Sequence, residues 1–207
     1  MLVTKVKICG ITTYEDAVTA TELGTDLLGF NFFSGSPRFV DVEKAAAIAR
    51  QLPAFVELAG VFVDASIQTI RQAVAACHLD WVQLHGNESP VFCQSLASDS
   101  VKIIKALRVK DKADLDRADA YPVDAMLLDA FHPDQYGGTG LTFDWGMIQN
   151  VERRFFLAGG ITPENAPKAI SLGVYGIDVC SGVESQPGKK DPAKMKALFD
   201  NIRYLRG

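Results

Sequence analysis

The sequence predicts an α/β fold, a single (β/α)8 barrel over residues 1–207, and three observations carry that expectation. Short apolar, β-branched runs recur eight times, stretches with helical periodicity fill most of the intervals, and the runs are near-continuously apolar rather than alternating. A strand that is apolar on both faces must be covered on both, which parallel strands with helical crossovers achieve. Each strand–helix unit averages about 26 residues, against the roughly 250-residue total usual for this fold, so the loops must be short and little space is left for a second domain. An open doubly wound sheet is the alternative and would require a reversal of strand order.

The strands are expected at residues 6–9, 27–32, 56–63, 81–84, 101–107, 125–128, 155–158 and 176–179. Helices are expected at 14–23, 42–52, 66–76, 89–96, 112–120 and 163–172, and none is assigned after residue 172. Their starts carry capping chemistry: Thr12-Thr13 stands before Glu15 and Asp16, Asp41 before Val42 and Glu43, and Thr162-Pro163-Glu164 gives a cap, a proline and an acid in order. Gly24 and Gly173 follow two helix ends. Gly137-Gly138-Thr139-Gly140 and residues 185–190 read as exposed functional or flexible loops.

Composition narrows the function. Of 207 residues, 48% are hydrophobic and 22% charged, enough for one sizeable core, and the net charge of −4 disfavours nucleic acid or an anionic membrane as partner. No apolar run resembles a signal peptide or a membrane span. The four cysteines, Cys9, Cys77, Cys93 and Cys180, show no CxxC or zinc-like spacing and read as free thiols in a reducing, cytoplasmic compartment. No metal and no organic cofactor is expected. Monomer and homodimer both stay open, since Phe33 and Phe39 could be pocket walls or interface.

In such a barrel the chemistry sits where the apolar runs stop. Those positions are Cys9, Asn31 with Arg38, Asp64, His85, Arg108, Asp129, Gly159-Gly160 and Asp178 with Ser181-Gly182. A cysteine in an apolar strand is ordinarily a small buried hydrophobe, although as a thiolate Cys9 could be a base or nucleophile. Asp129 directly follows three large apolar residues, where an unpaired charge would be costly, so it is either a cap, an ion-pair partner or a reacting group. Strands 1 and 6 lie on different sides of the mouth, so a substrate between them could lose a proton to one residue and gain one from the other. Gly159-Gly160 and Ser181-Gly182 follow strands 7 and 8, where backbone N–H groups often cradle a phosphate. Arg38, behind a stiffening proline, could grip a carboxylate with two hydrogen bonds, and His85 could line the pocket.

Taken together, Lys7-Ile8-Cys9-Gly10-Ile11-Thr12, Ser36-Pro37-Arg38-Phe39-Val40, Gln83-Leu84-His85-Gly86, Gly137-Gly138-Thr139-Gly140 and Asp178-Val179-Cys180-Ser181-Gly182-Val183-Glu184 resemble the phosphoribosylanthranilate isomerase family over nearly the whole chain. The resemblance implies an aldose–ketose type (Amadori) rearrangement of a small phosphoribosyl substrate, N-(5-phosphoribosyl)anthranilate, in tryptophan biosynthesis. It implies Cys9 as general base, Asp129 as general acid, Arg38 as the residue positioning the anthranilate part, and Asp178 as a contact near the amine. It further implies a phosphate site on the backbone around Gly160, Ser181 and Gly182. For that chemistry burial should raise the Asp129 carboxyl, and a positive charge or backbone dipoles should favour the Cys9 thiolate. The family commonly carries serine where this chain has Cys180, a change that weakens phosphate binding if the side chain takes part and is silent if only backbone does.

Three rival readings remain. A histidine-pathway barrel isomerase would use an aspartate at the end of strand 1 and phosphate sites in both halves. Indole-glycerol-phosphate synthase would need a catalytic lysine, and the surroundings of Lys105 do not match. A non-catalytic phosphate-ligand-binding barrel would need neither Cys9 nor Asp129.

Overall fold

The computed structural model describes residues 3–97, 100–130, 144–148 and 153–206. Eight parallel strands close a barrel: β1 (Lys5–Cys9), β2 (Leu27–Asn31), β3 (Glu57–Phe62), β4 (Trp81–Leu84), β5 (Lys102–Val109), β6 (Ala125–Ala130), β7 (Phe155–Leu157) and β8 (Gly176–Val179). Because β8 pairs with β1 through Lys5↔Gly176 to Ile8↔Val179, no sheet edge is left and the doubly wound alternative falls. The helices are α1 (Tyr14–Glu22), α2 (Val42–Ala49), α3 (Ile67–Cys77), α4 (Pro90–Leu96), α5 (Lys112–Asp116), α6 (Ala166–Ser171) and α7 (Pro192–Ile202).

Side chains that point out of the barrel, such as Val6, Ile8, Leu28 and Phe30, pack with the helices in the larger core. Those that point in, including Leu27, Ala59, Trp81, Ile104, Leu127 and Phe156, fill the barrel interior. Strand side chains alternate with period two, so the next inward positions above this plug rise into the mouth. They are Lys7 and Cys9 on β1, Gln83 and His85 on and after β4, Asp129 on β6, and Asp178 and Cys180 on and after β8.

Two of the three expected caps act as the sequence implied, Thr13 accepting from the Asp16 N–H and Asp41 from Lys44, and Ser66 caps α3 by accepting from Thr69, each such cap contributing about 1 kcal/mol. Three expectations are corrected. The helix expected from Pro163 begins only at Ala166, because Asn165 clasps a turn instead, its Oδ1 accepting from the Thr162 N–H and its Nδ2 donating to the Gly160 carbonyl. Helix α7 was missed although Met195, Leu198, Phe199 and Ile202 give the required periodicity and are buried. Residues 185–190 belong to an antiparallel hairpin, β9 (Glu184–Gln186) with β10 (Lys189–Lys190), whose turn uses Gly188 at φ +79. Gly137-Gly138-Thr139-Gly140 lies outside the described residues.

Candidate active site

The C-terminal ends of the strands surround a pocket of about 650 Å³ including its open mouth, lined by Cys9, Asn31, Arg38, Gln83, His85, Asp129, Gly159, Gly160, Asp178, Cys180 and Ser181 among others. Among the described residues no group of three His, Cys, Asp or Glu is placed to hold a metal, and no helix is long and apolar enough to cross a membrane.

Cys9 is buried at the end of β1. A hydrogen bond from the Cys180 thiol, helped by the Lys7 and Lys190 ammonium groups, holds its thiol well below the ordinary range despite burial. Cys180 is pushed well above that range, because it keeps the proton that it shares with Cys9 and burial adds to the effect. The expected favouring of the Cys9 thiolate is therefore present, and its largest cause is a second thiol. Gly29 makes the crowding tolerable, since a Cβ there would stand 2.9 Å from Cys9 Sγ and 3.3 Å from Lys7 Nζ.

Below Cys9, Lys7 is fully buried and donates to Asp178 Oδ1 at 2.7 Å. Flanked by Asp178 and the Cys9 thiolate, Lys7 holds its proton more firmly than a free lysine despite desolvation. Burial pushes the Asp178 carboxyl up to about 6, Lys7 opposing the rise and the neighbouring Cys9 and Asp129 adding to it.

Asp129 is buried on the opposite side. Its Oδ1 accepts from the Ala130 N–H at 2.9 Å, and its Oδ2 lies 3.3 Å from His85 Nε2. That approach is proximity without an aligned hydrogen bond, since Nε2 makes none. Gln83 Nε2 stands 3.0 Å from His85 Nδ1. With the amide donating, Nδ1 is the acceptor and the ring proton resides on Nε2, toward Asp129. Gly159, at φ +81, is required beside them, because a Cβ would come within 2.8 Å of both Asp129 Oδ1 and the Ala130 nitrogen.

Arg38 reaches the pocket from the loop after β2, but its fork is already engaged: Nε and Nη2 donate to Glu184 Oε1 and Oε2 at 2.9 and 2.7 Å. A substrate carboxylate could meet only the remaining Nη1–Nη2 edge. Lys190 donates to Glu184 Oε1 at 3.0 Å and to the Cys180 carbonyl at 3.2 Å, so the β9–β10 hairpin clamps the site from behind. The loops after β7 and β8 meet closely. Gly160 adopts φ +62, residues Ser181–Val183 form a single 3-10 turn, and a Cβ on Gly182 would fall 1.9 Å from the Ile161 carbonyl oxygen. Gly160 and Ser181 line the pocket, whereas Gly182 supports them from outside its wall.

Other strand-end residues serve the frame. Asp64 accepts from the Asn87 N–H at 2.7 Å, tying the loops after β3 and β4, and Arg108 donates to Asn87 Oδ1 at 3.3 Å. Lys105 points outward to Glu88 and the carbonyls of Leu84 and Gly86, which removes it as a catalytic lysine. Phe33 and Phe39 are not pocket walls, and Phe39 is exposed. Reading by strand ends missed Lys7, Gln83, Glu184 and Lys190. The signal for the first two was a polar residue two positions before a candidate, hence on its face of the strand.

Residues 6–201 match the family model described as N-(5'phosphoribosyl)anthranilate (PRA) isomerase. An N-(5'-phosphoribosyl)anthranilate isomerase of Geotalea uraniireducens is 50% identical over 206 residues, covering 98% of this chain and 100% of the relative. The phosphoribosyl anthranilate isomerase structure from Thermus thermophilus superposes with a TM-score of 0.91 at 38% identity, covering 98% of this chain and 100% of that one. A further isomerase structure, in complex with reduced 1-(o-carboxyphenylamino)-1-deoxyribulose 5-phosphate, gives 0.87 at 37% identity and covers 97% of this chain and 98% of that one. A full-length match in sequence and barrel geometry places the chain in one group: it belongs to the N-(5'-phosphoribosyl)anthranilate isomerase family.

Proposed function

We propose that this isomerase of tryptophan biosynthesis rearranges N-(5-phosphoribosyl)anthranilate to 1-(2-carboxyphenylamino)-1-deoxyribulose 5-phosphate between Cys9 as general base and Asp129 as general acid. The observation that carries the assignment is their placement: a cation-supported thiolate on β1 faces a buried carboxyl on β6 across one pocket. Protonated Asp129 gives its proton to the ribose ring oxygen, the C1–O bond breaks, and the amine lone pair forms an iminium. The Cys9 thiolate then takes the C2 proton, whose bond electrons become the C1=C2 bond while the iminium pair returns to nitrogen. The resulting enolamine ketonises.

The backbone around Gly159, Gly160, Ser181 and Gly182 is the proposed phosphate site, on the strength of two left-handed glycines and a 3-10 turn at one edge of the pocket. The free edge of Arg38 is assigned to the anthranilate carboxylate, and Asp178 to the amine. His85 doubles as a pocket contact. No cofactor enters this proton chemistry. Four free thiols support a cytosolic location. A homodimer is the assembly to test, given strongly exposed Phe55, Val91 and Phe39.

The test follows the loss of phosphoribosylanthranilate fluorescence using freshly generated substrate with wild type, Cys9→Ser and Asp129→Asn. Fast decay in wild type and a loss of about 10²-fold or more in each variant is expected for removing a positioned base or acid. No decay with wild type would return the phosphate-binding module or the histidine-pathway substrate to favour. Near-wild-type rates in either variant would overturn the role given to that residue.

A further inference from the structure

Cys9 and Cys180 are neighbours because of strand register. The last ladder pairs between β1 and β8 are Lys7↔Asp178 and Ile8↔Val179, so the next step brings Cys9 opposite Cys180. Lys7 and Asp178, two positions below on the same inward face, are joined at 2.7 Å. Adjacent strands run about 4.8 Å apart, within the range of roughly 4.4–6.8 Å that disulfides require between α-carbons. Each thiol is the largest influence on the other, Cys9 being lowered and Cys180 raised. Both line the open pocket, so a small oxidant can reach them. Lys190 Nζ lies 3.9 Å from Cys180 Sγ and Lys7 lies against Cys9, which provides the electropositive surroundings of a reactive thiolate.

We propose that Cys9 and Cys180 form a redox-closable pair, a modification site at which a hydroperoxide converts the general base into a disulfide across the β1–β8 seam and reversibly switches the isomerase off. In the first step the Cys9 thiolate attacks a peroxide oxygen; the O–O bond breaks, hydrogen peroxide is reduced to water after taking up a proton, and Cys9 becomes a sulfenic acid. In the second, the Cys180 sulfur, giving up its proton, attacks the Cys9 sulfur, and the hydroxyl leaves with that proton as a second water. A dithiol reverses the bond by exchange. The other cysteines provide internal controls. Cys77 and Cys93 are buried outside the barrel bore, and desolvation raises both thiols to about 11, so both stay reduced.

The experiment treats the folded enzyme with hydrogen peroxide, blocks remaining thiols under denaturing conditions, and reads intact mass and linked peptides alongside activity. Wild type should lose two hydrogens, yield a Cys9–Cys180 linked peptide, and regain nearly all of its own untreated activity with dithiothreitol. Cys180→Ser, confirmed folded by circular dichroism, should instead add oxygens at Cys9 and stay inactive after dithiothreitol relative to its own untreated value. Cys9→Ser should show no mass change. The proposal is overturned if wild type accumulates sulfinic acid at Cys9 without a linked peptide, if the link involves another cysteine or a second chain, or if no thiol reacts. Mass decides whether the bond forms whatever substrate the enzyme takes, whereas the switch rests on the proposed role of Cys9 and is overturned if the linked enzyme keeps its activity.

Discussion

Replacing Lys7 by methionine separates electrostatics from packing at the base of the site. Methionine keeps most of the aliphatic length and removes a fully buried ammonium 2.7 Å from Asp178. Breaking a buried pair by removing one partner costs about 3–5 kcal/mol when the remaining charge is stranded. Whether it is stranded depends on pH. The Asp178 carboxyl stands near 6 in the folded protein against 3.8 when free. A raised folded value means that its contribution to stability is fully present below about 3.8 and lost as pH rises through about 6, a loss of about 3 kcal/mol for a shift of this size. Without Lys7 the carboxyl should rise further, so the variant should lose more stability than wild type above pH 6. Urea unfolding should therefore give a deficit of about 3–5 kcal/mol at pH 8 that shrinks to about 1 kcal/mol at pH 5, where Asp178 is protonated in both proteins. An equal deficit at both pH values would show that Lys7 acts through its alkyl chain, and the charge argument would be wrong.

Three further changes test the remaining parts of the site. Glu184→Gln leaves Arg38 and Lys190 sharing an uncharged amide, so unfolding by urea should show a loss of about 2–3 kcal/mol, the scale for hydrogen bonds to charged groups, with KM rising more than kcat falls. Gly182→Ala places a methyl 1.9 Å from the Ile161 carbonyl oxygen, and the loop must move; about 1–3 kcal/mol of stability should go, and weaker inhibition by inorganic phosphate would report the damaged anion site. Because the Cys180 hydrogen bond is the largest cause of the lowered Cys9 thiol, Cys180→Ala should move the acidic limb of kcat/KM upward in pH. Thiolate absorbance in the ultraviolet should titrate with it, and an unchanged limb would remove Cys180 from the base.

The barrel was legible because parallel strands covered on both faces must be apolar nearly throughout, and runs such as residues 125–128 have that character. Boundaries were less so. The competition between Pro163 and Asn165 for the start of α6 is decided by hydrogen bonds to Thr162 and Gly160, which spacing alone does not rank. Cys9, Asp129, His85 and Asp178 could be found one at a time because each ends an apolar run. Their partners could not. Lys190 is near the end of the chain and appears exposed by composition, yet its ammonium is buried against Glu184 only because β9 and β10 fold back behind the mouth. Likewise the pairing of Cys9 with Cys180 follows from barrel closure between the first and last strands, a contact across almost the whole sequence.

Charge pairing around the mouth also distinguishes Asp129 from the other carboxylates beside it. Asp178 is bound to Lys7, and Glu184 just behind the wall is bound to Arg38 and Lys190. Protonating either would leave a buried cation without its carboxylate, which is how Lys7 opposes the rise that burial imposes on Asp178. Asp129 pairs with no lysine or arginine among the described residues, and its Oδ2 lies 3.3 Å from His85 Nε2. Protonating Asp129 therefore leaves no lysine or arginine among the described residues without its carboxylate. The proposed acid and base thus differ in surroundings: Asp129 can take a proton without unpairing a cation, and the Cys9 thiolate is braced by Lys7 and Lys190 on the facing side, the asymmetry that the proposed acid–base rearrangement requires.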